Sequence, residues 1–369
     1  MDIKKMMRKE ILNFQAYIPG KPIDEVKREL GIKGKITKLA SNENSLGPAP
    51  EVVAAVKKAA ADIFRYPEGA SYLLRNAVAQ ALGITRQEVI FGSGSDEIIE
   101  MLGKVFFDRG DEIVVSEHAF IRYKMAGDLM GARVISVPMK DYKHDLSAMR
   151  AAVTDKTKAV FIANPNNPTG TYNTQKELEE FLESLPSGPM VVIDEAYYEY
   201  ARVNKDYPDT VKLLKQFQNI VILRTFSKIY ALAGLRAGYA VASSEIVECL
   251  DRIRPPFNVT LLSQAGALAA LKYGKKQVKR SVAVVEAGKK YLYSELEKLG
   301  LPCVKSAGNF ILINVEPARG KDVFQKLLKL GVIVRAMDEY NYPGFIRVTV
   351  GTAAENKIFI KALAKCPGA

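Results

Sequence analysis

Five short runs, at 112–115, 134–137, 159–163, 190–193 and 220–223, are apolar almost throughout and do not alternate with polar residues. A strand with one wet face alternates. A strand covered on both faces does not, so these runs predict a mostly parallel sheet buried between two layers. The segments between them, such as 174–184, have the length and polarity of helices. The expected layout is α/β with crossover connections. A sixth run at 89–91 ends in Gly92-Ser93-Gly94 and is followed by a helical pattern over 97–107.

After Arg254-Pro255-Pro256-Phe257 the pattern changes. A long helical region covers 261–299 with a break near Tyr273-Gly274, and shorter strands follow at 310–314, 332–335 and 345–350. A chain of 369 residues exceeds what one continuous core accommodates. The expected division is an N-terminal arm (1–30), a large α/β domain (31–257) and a smaller α+β domain (258–369).

Composition excludes several functions. With only two histidines, His118 and His144, a multi-histidine metal site is ruled out, and neither histidine acquires a catalytic role. The three cysteines are odd in number and scattered, so no disulfide framework is predicted. No run approaches the roughly 20 apolar residues of a membrane helix, and the start lacks the apolar core of a secretory signal. A cytoplasmic location is expected. The net charge of +12 comes without any nucleic-acid-binding signature. It fits a solvated surface or an anionic small molecule, and no nucleic-acid partner is expected.

Four motifs sit where strands end, the place where open α/β sheets bind ligands. Asn164-Pro165-Asn166-Asn167-Pro168-Thr169-Gly170 would by itself be a turn. Asp194, ending the run 190–193, could cap a helix, but an acid there also suits a cationic heterocycle, with Tyr197 close by. Lys228 follows the run 220–223 and two hydroxyl residues, Thr225 and Ser227, and Arg236 lies a short way on; desolvation and a second cation would make its amine nucleophilic. Gly92-Ser93-Gly94-Ser95-Asp96-Glu97 opens a helix and can cradle an anion. An imine-forming lysine, a ring-nitrogen carboxylate, a phenol and a phosphate cradle together are the parts needed to hold pyridoxal 5'-phosphate.

From about Tyr17 onward the chain resembles the fold-type I aminotransferases and, within them, the histidinol-phosphate aminotransferases. The resemblance rests on Tyr17-Ile18-Pro19-Gly20-Lys21-Pro22, Leu39-Ala40-Ser41-Asn42-Glu43-Asn44, Arg65-Tyr66-Pro67, the four motifs, 252–259 and 347–352. It implies that Lys228 carries the cofactor as a Schiff base and shuttles a proton, and that Asp194 keeps the ring nitrogen protonated. Asn167 and Tyr197 would bond the ring's 3-oxygen and Phe120 would stack on the ring. Ser95, Asp96, Thr225, Ser227 and Arg236 would hold the phosphate, joined by Tyr66 from the second subunit of a homodimer. Arg347 would bind the amino acid's carboxylate and Arg335 the phosphate of the substrate, with Tyr17 closing over them. One departure is Glu117-His118-Ala119-Phe120, where many members carry proline and threonine before the aromatic residue. The implied reaction is amino transfer between glutamate and a phosphorylated imidazole ketone in histidine biosynthesis. An aromatic aminotransferase is the alternative, and a cofactor-binding regulator a more distant one.

Overall fold

The structure, a computed structural model, describes residues 3–12, 14, 16, 20, 22–31 and 34–366. Twelve strands are found among them: β1 (Thr37–Lys38), β2 (Val89–Gly92), β3 (Glu112–Ser116), β4 (Arg133–Val137), β5 (Thr157–Ala163), β6 (Met190–Asp194), β7 (Ile220–Thr225), β8 (Gly238–Ala242), β9 (Phe310–Asn314), β10 (Val332–Ile333), β11 (Arg335–Ala336) and β12 (Phe345–Thr349). Seven form one sheet in the order β2-β8-β7-β6-β5-β3-β4. Only β8 opposes its neighbours; the other pairs are parallel.

The absence of alternation has a visible cause. Val191 and Ile193 of β6 face one core, with Val160, Ile162, Ile220 and Ile222 and the helix residues Leu178, Phe181 and Leu182. Met190 and Val192 face the other, with Phe161, Val221 and Leu223 and the helix residues Ile98, Ile99 and Leu102. Both faces are dry, so both sets must be apolar. Strand β4 lies at the sheet edge, and there Arg133 and Ser136 are exposed. The chain is thus the expected α/β fold with a smaller C-terminal α+β part, built on the antiparallel sheet β11-β12-β9. That second sheet packs against the helices Lys275–Lys298, Gly320–Lys329 and Ala353–Leu363.

Packing moves two segments across the boundaries expected at 30 and 257. Strand β1 pairs in parallel with β10, and Val26, Ile36 and Ala40 share a core with Leu328 and Ile333. In the other direction, helix Leu261–Tyr273 buries Ala267, Ala269 and Ala270 in the large-sheet core with Val52, Leu74 and Val78. Neither switch was readable from hydrophobic period, which reports that a face is buried but not against what. The strand expected over 332–335 also divides at Val334: β10 joins β1 and β11 joins β12. Among the described residues, no helix is long and apolar enough to cross a membrane.

The two parts meet at Gly170. Its carbonyl accepts from Ala307 N at 2.8 Å. Its φ is +79°, and an added Cβ would lie 2.2 Å from Ser306 Oγ. Gly170→Ala combines a disfavoured backbone with overpacking, a loss of about 2 kcal/mol. A fall in the denaturation midpoint is expected, and an unchanged midpoint would show that segment 306–307 yields freely.

Candidate active site

Strands β5, β6 and β7 run side by side, so their C-terminal ends present three motifs to one cavity. Ser95, Asp96, Phe120, Asn167, Asp194, Tyr197, Thr225, Ser227, Lys228 and Arg236 all line it, together with Tyr123, Ala163, Pro165 and Ala196. Ten residues predicted from distant parts of the sequence are therefore brought together.

Lys228 Nζ donates to the carbonyl of Ser41 at 3.0 Å and lies 5.8 Å from the centre of the Tyr197 ring. Burial, reinforced by the Arg347 and Arg236 guanidinium groups, pushes its ammonium down to about 8, against the opposing pull of Glu43 and Asp96. A measurable fraction of the amine is then unprotonated near neutral pH, as a nucleophile requires.

Asp194 is only 5% exposed. Its Oδ2 accepts from the Tyr123 hydroxyl at 2.7 Å and its Oδ1 from Ala196 N at 3.1 Å. Burial nevertheless pushes its carboxyl up to about 6. Neither of these partners is a cation, so a positively charged ring nitrogen would relieve the cost of keeping this acid ionised. Tyr197, on the loop after Asp194, accepts at its hydroxyl from Asn42 Nδ2 at 2.9 Å and packs edge-on against Phe310.

At the other end of the cavity, helix Ser95–Phe106 begins after Gly94, whose φ is +77°. An added Cβ at Gly94 would fall 2.4 Å from Arg236 Nη2, and one at Gly238 would fall 2.4 Å from Ser95 N. Glycine at both positions lets a guanidinium and a helix N-terminus approach the same point. Arg236 is itself in the left-handed region, with Nη1 3.3 Å from Ser227 Oγ and Nη2 3.5 Å from Asp96 Oδ2. The Thr225 hydroxyl accepts from Ser227 N at 3.1 Å. Helix dipole, guanidinium and hydroxyls converge as an anion cradle. Cradle, lysine, buried acid and phenol fit pyridoxal phosphate as a set.

Arg347 is buried on β12; its Nη2 donates to Ala40 O at 2.7 Å and its Nη1 to Asn167 Oδ1. Arg335 stands directly opposite it in register and pairs with Glu339. Two guanidinium groups facing each other across a ladder repel unless anions lie nearby. Tyr66 does not join the cavity within one chain: it is 82% exposed and stacks on Phe257. Tyr17 lies outside the described residues.

Two contributors were missed. Tyr123 gives no signal in the sequence, because its role depends on a helix reaching across to β6. The turn 40–43 stood in a stretch singled out above but received no role. Its successive carbonyls accept from Arg347 (Ala40), Lys228 (Ser41) and Asn309 (Asn42 and Glu43). The histidines remain structural. His118 stacks on Tyr342, its Nδ1 at 2.6 Å from Tyr340 O. His144 is buried between Ser116 Oγ and Ala163 O; since that carbonyl only accepts, Nε2 carries the proton, and burial pushes the imidazolium down to about 4. Among the described residues, no cluster suited to a metal ion occurs.

Residues 34–363 match the family described as aminotransferase class I and II. The chain is 48% identical to the histidinol-phosphate aminotransferase of Moorella thermoacetica, covering 96% of this chain and 92% of that one. It is 45% identical to histidinol-phosphate aminotransferase 2 of Carboxydothermus hydrogenoformans, covering 97% and 98%. Among solved structures it resembles the histidinol-phosphate aminotransferase of Sinorhizobium meliloti in complex with pyridoxal-5'-phosphate, at 26% identity and a TM-score of 0.88 over 98% of this chain and 97% of that one.

Two pH dependences follow from the buried pair. An acid whose folded value, about 6, exceeds its ordinary 3.8 destabilises the native state above both values and not below them. In cofactor-free protein, Asp194→Asn is expected to raise stability by roughly 3 kcal/mol at pH 8 and by about half that at pH 5. Equal gains at the two pH values would place the cost elsewhere. For Lys228, uptake of an aldehyde by the cofactor-free protein should accelerate with pH and level off above about 8. A rate still climbing tenfold per unit at pH 9.5 would mean an ordinary lysine.

Proposed function

We propose the substrate from the premise that this chain belongs to the class I and II aminotransferase family and is a pyridoxal-phosphate-dependent transaminase. It exchanges an amino group between L-histidinol phosphate with 2-oxoglutarate and imidazole-acetol phosphate with L-glutamate, a step of histidine biosynthesis. Beyond the named relatives, one observation carries this choice. Arg335 and Arg347 face each other in register, and Arg347 also holds Asn167 of the cofactor cavity. One cation for a carboxylate and a second for a phosphate suit the two substrates that share the site.

Bound in the cavity, the cofactor supplies an aldehyde and a protonated ring able to accept electrons from the substrate's α-carbon. Lys228 would hold the aldehyde carbon through Nζ, and its free amine would move the proton at the substrate's α-carbon. Asp194 keeps the ring-nitrogen proton in place, and Tyr123 keeps Asp194 in place. Asn167 and Tyr197 address the ring oxygen, and Phe120 covers a ring face. Ser95, Asp96, Thr225, Ser227 and Arg236 hold the cofactor phosphate. Arg347 binds the α-carboxylate of glutamate and Arg335 the phosphate of histidinol phosphate bidentately. We assign Tyr66, exposed beside Phe257, to the neighbouring active site of a homodimer, and Tyr17 to the cover over the substrate. The enzyme works in the cytoplasm on small molecules.

Each half-reaction should proceed alone, as a ping-pong scheme requires. Borohydride reduction should bleach the visible band and leave the label on Lys228. Arg335→Ala should lower kcat/KM for histidinol phosphate by on the order of 100-fold, the loss of a charge-assisted pair, while sparing phenylalanine. Equal losses for both donors would remove Arg335 as a phosphate reader and favour an aromatic aminotransferase.

A further inference from the structure

Asn42 is 1% exposed and sits in the left-handed region, with φ of 54°. Its side-chain amide lies between two hydroxyl groups, those of Thr349 and Tyr197. Asn42 N donates to Thr349 Oγ1 at 2.9 Å, and the Thr349 hydroxyl in turn donates to Asn42 Oδ1 at 3.3 Å. The structure places the amide oxygen toward the Thr349 hydroxyl and Nδ2 toward the Tyr197 hydroxyl, at 2.9 Å. A hydroxyl that accepts from an N–H turns its own proton elsewhere. With the opposite amide orientation Tyr197 would donate to Asn42 and could offer the cavity only a lone pair.

The second support comes from the C-terminal part. Asn309 Nδ2 donates to the carbonyls of Asn42 at 3.1 Å and Glu43 at 3.3 Å. Its own backbone is tied in, since its carbonyl accepts from Val350 N at 2.8 Å. Thr349 and Arg347 lie on the same strand, β12, and Arg347 reaches Asn167. One strand of the smaller sheet thus addresses Asn167 directly and Tyr197 through Asn42.

We propose that Asn42 is a positioning residue for transamination: its side-chain N–H orients the Tyr197 hydroxyl so that the phenol proton is presented to the cofactor's ring oxygen, and Asn309 holds Asn42 in that pose. The proposal rests on the cofactor reading above. A proton donated to the ring oxygen stabilises its anion and so weakens the hold of the neighbouring lysine-linked nitrogen on its own proton. Losing that orientation should let the nitrogen keep its proton to higher pH.

The test is the pH titration of the visible band in protein loaded with pyridoxal phosphate. Asn42→Ala should raise the midpoint by about 1 pH unit, the size one hydrogen bond to a charged form carries. Asn309→Ala should raise it by less. Neither substitution should move the midpoint further in a Tyr197→Phe background, because both act through that hydroxyl. An unmoved midpoint, or an equal shift with and without the hydroxyl, overturns the proposal. If Asn42→Ala fails to fold, as a melting curve would show, Asn309→Ala carries the same comparison. Wild-type protein that gains no band with pyridoxal phosphate would instead overturn the cofactor reading.

Discussion

Covering both faces of the seven-stranded sheet leaves polar chemistry one place to go. No side chain in the middle of β5, β6 or β7 can carry charge without facing a dry core, and 159–163, 190–193 and 220–223 are all buried. The strand ends are different: there the backbone still needs partners and the layers above and below have not yet closed. Asn164 N, for example, is satisfied by Asp194 O across adjacent ends at 2.8 Å. The acid, the lysine and the asparagine loop are neighbours because their strands are, which makes the site a consequence of strand order.

Strand order alone does not complete the site. The large sheet supplies Asp194 and Lys228, but the groups that set their surroundings come from the turn 40–43 and from β12. Four consecutive carbonyls of that turn accept from Arg347, Lys228 and Asn309. Carbonyls facing two cations offset part of the repulsion between Lys228 and Arg347 while leaving the lysine's affinity for its proton depressed. Because β1, just before the turn, pairs with β10, the turn belongs mechanically to the smaller part. A displacement of that part relative to the large sheet therefore reaches the lysine and the phenol together.

Much of this was legible in the sequence, and what was not has a common cause. Apolar runs without alternation pointed to the parallel sheet, and motifs at their ends held nine of the cavity-lining side chains, since position along a strand is a local property; Phe120 came from the family resemblance. Tyr123, Asn42 and Asn309 act across large sequence separations through individual side-chain hydrogen bonds, one to three per residue, which leave no periodicity and no composition signal. The same holds for helix Leu261–Tyr273 and segment 23–40: their patterns report a buried face without naming the surface that covers it. Tyr66, exposed in this chain, draws its expected role from the family resemblance alone and from no pattern or contact within the chain.

Adjacent acids at the end of β6 show why geometry has to finish the reading. Asp194 and Glu195 are both buried, and burial raises both carboxyls. Glu195, however, is compensated: Arg224 Nη2 lies 2.8 Å from its Oε2, Arg224 Nε bonds the same oxygen at 2.9 Å, and the Tyr207 hydroxyl reaches its Oε1. Arg224 is in turn covered by the Tyr198 ring, 3.6 Å from its Cζ. A carboxylate whose charge is already matched by its own buried cation gains little from a cationic ligand, and breaking such a pair leaves an uncompensated charge. Asp194 has a phenol and an amide N–H but no guanidinium, in a cavity that opens toward Lys228. The chain thus spends one acid on holding β6 to β7 and keeps the other electrostatically unfinished, and an acid left in that state is one a positively charged ring can complete.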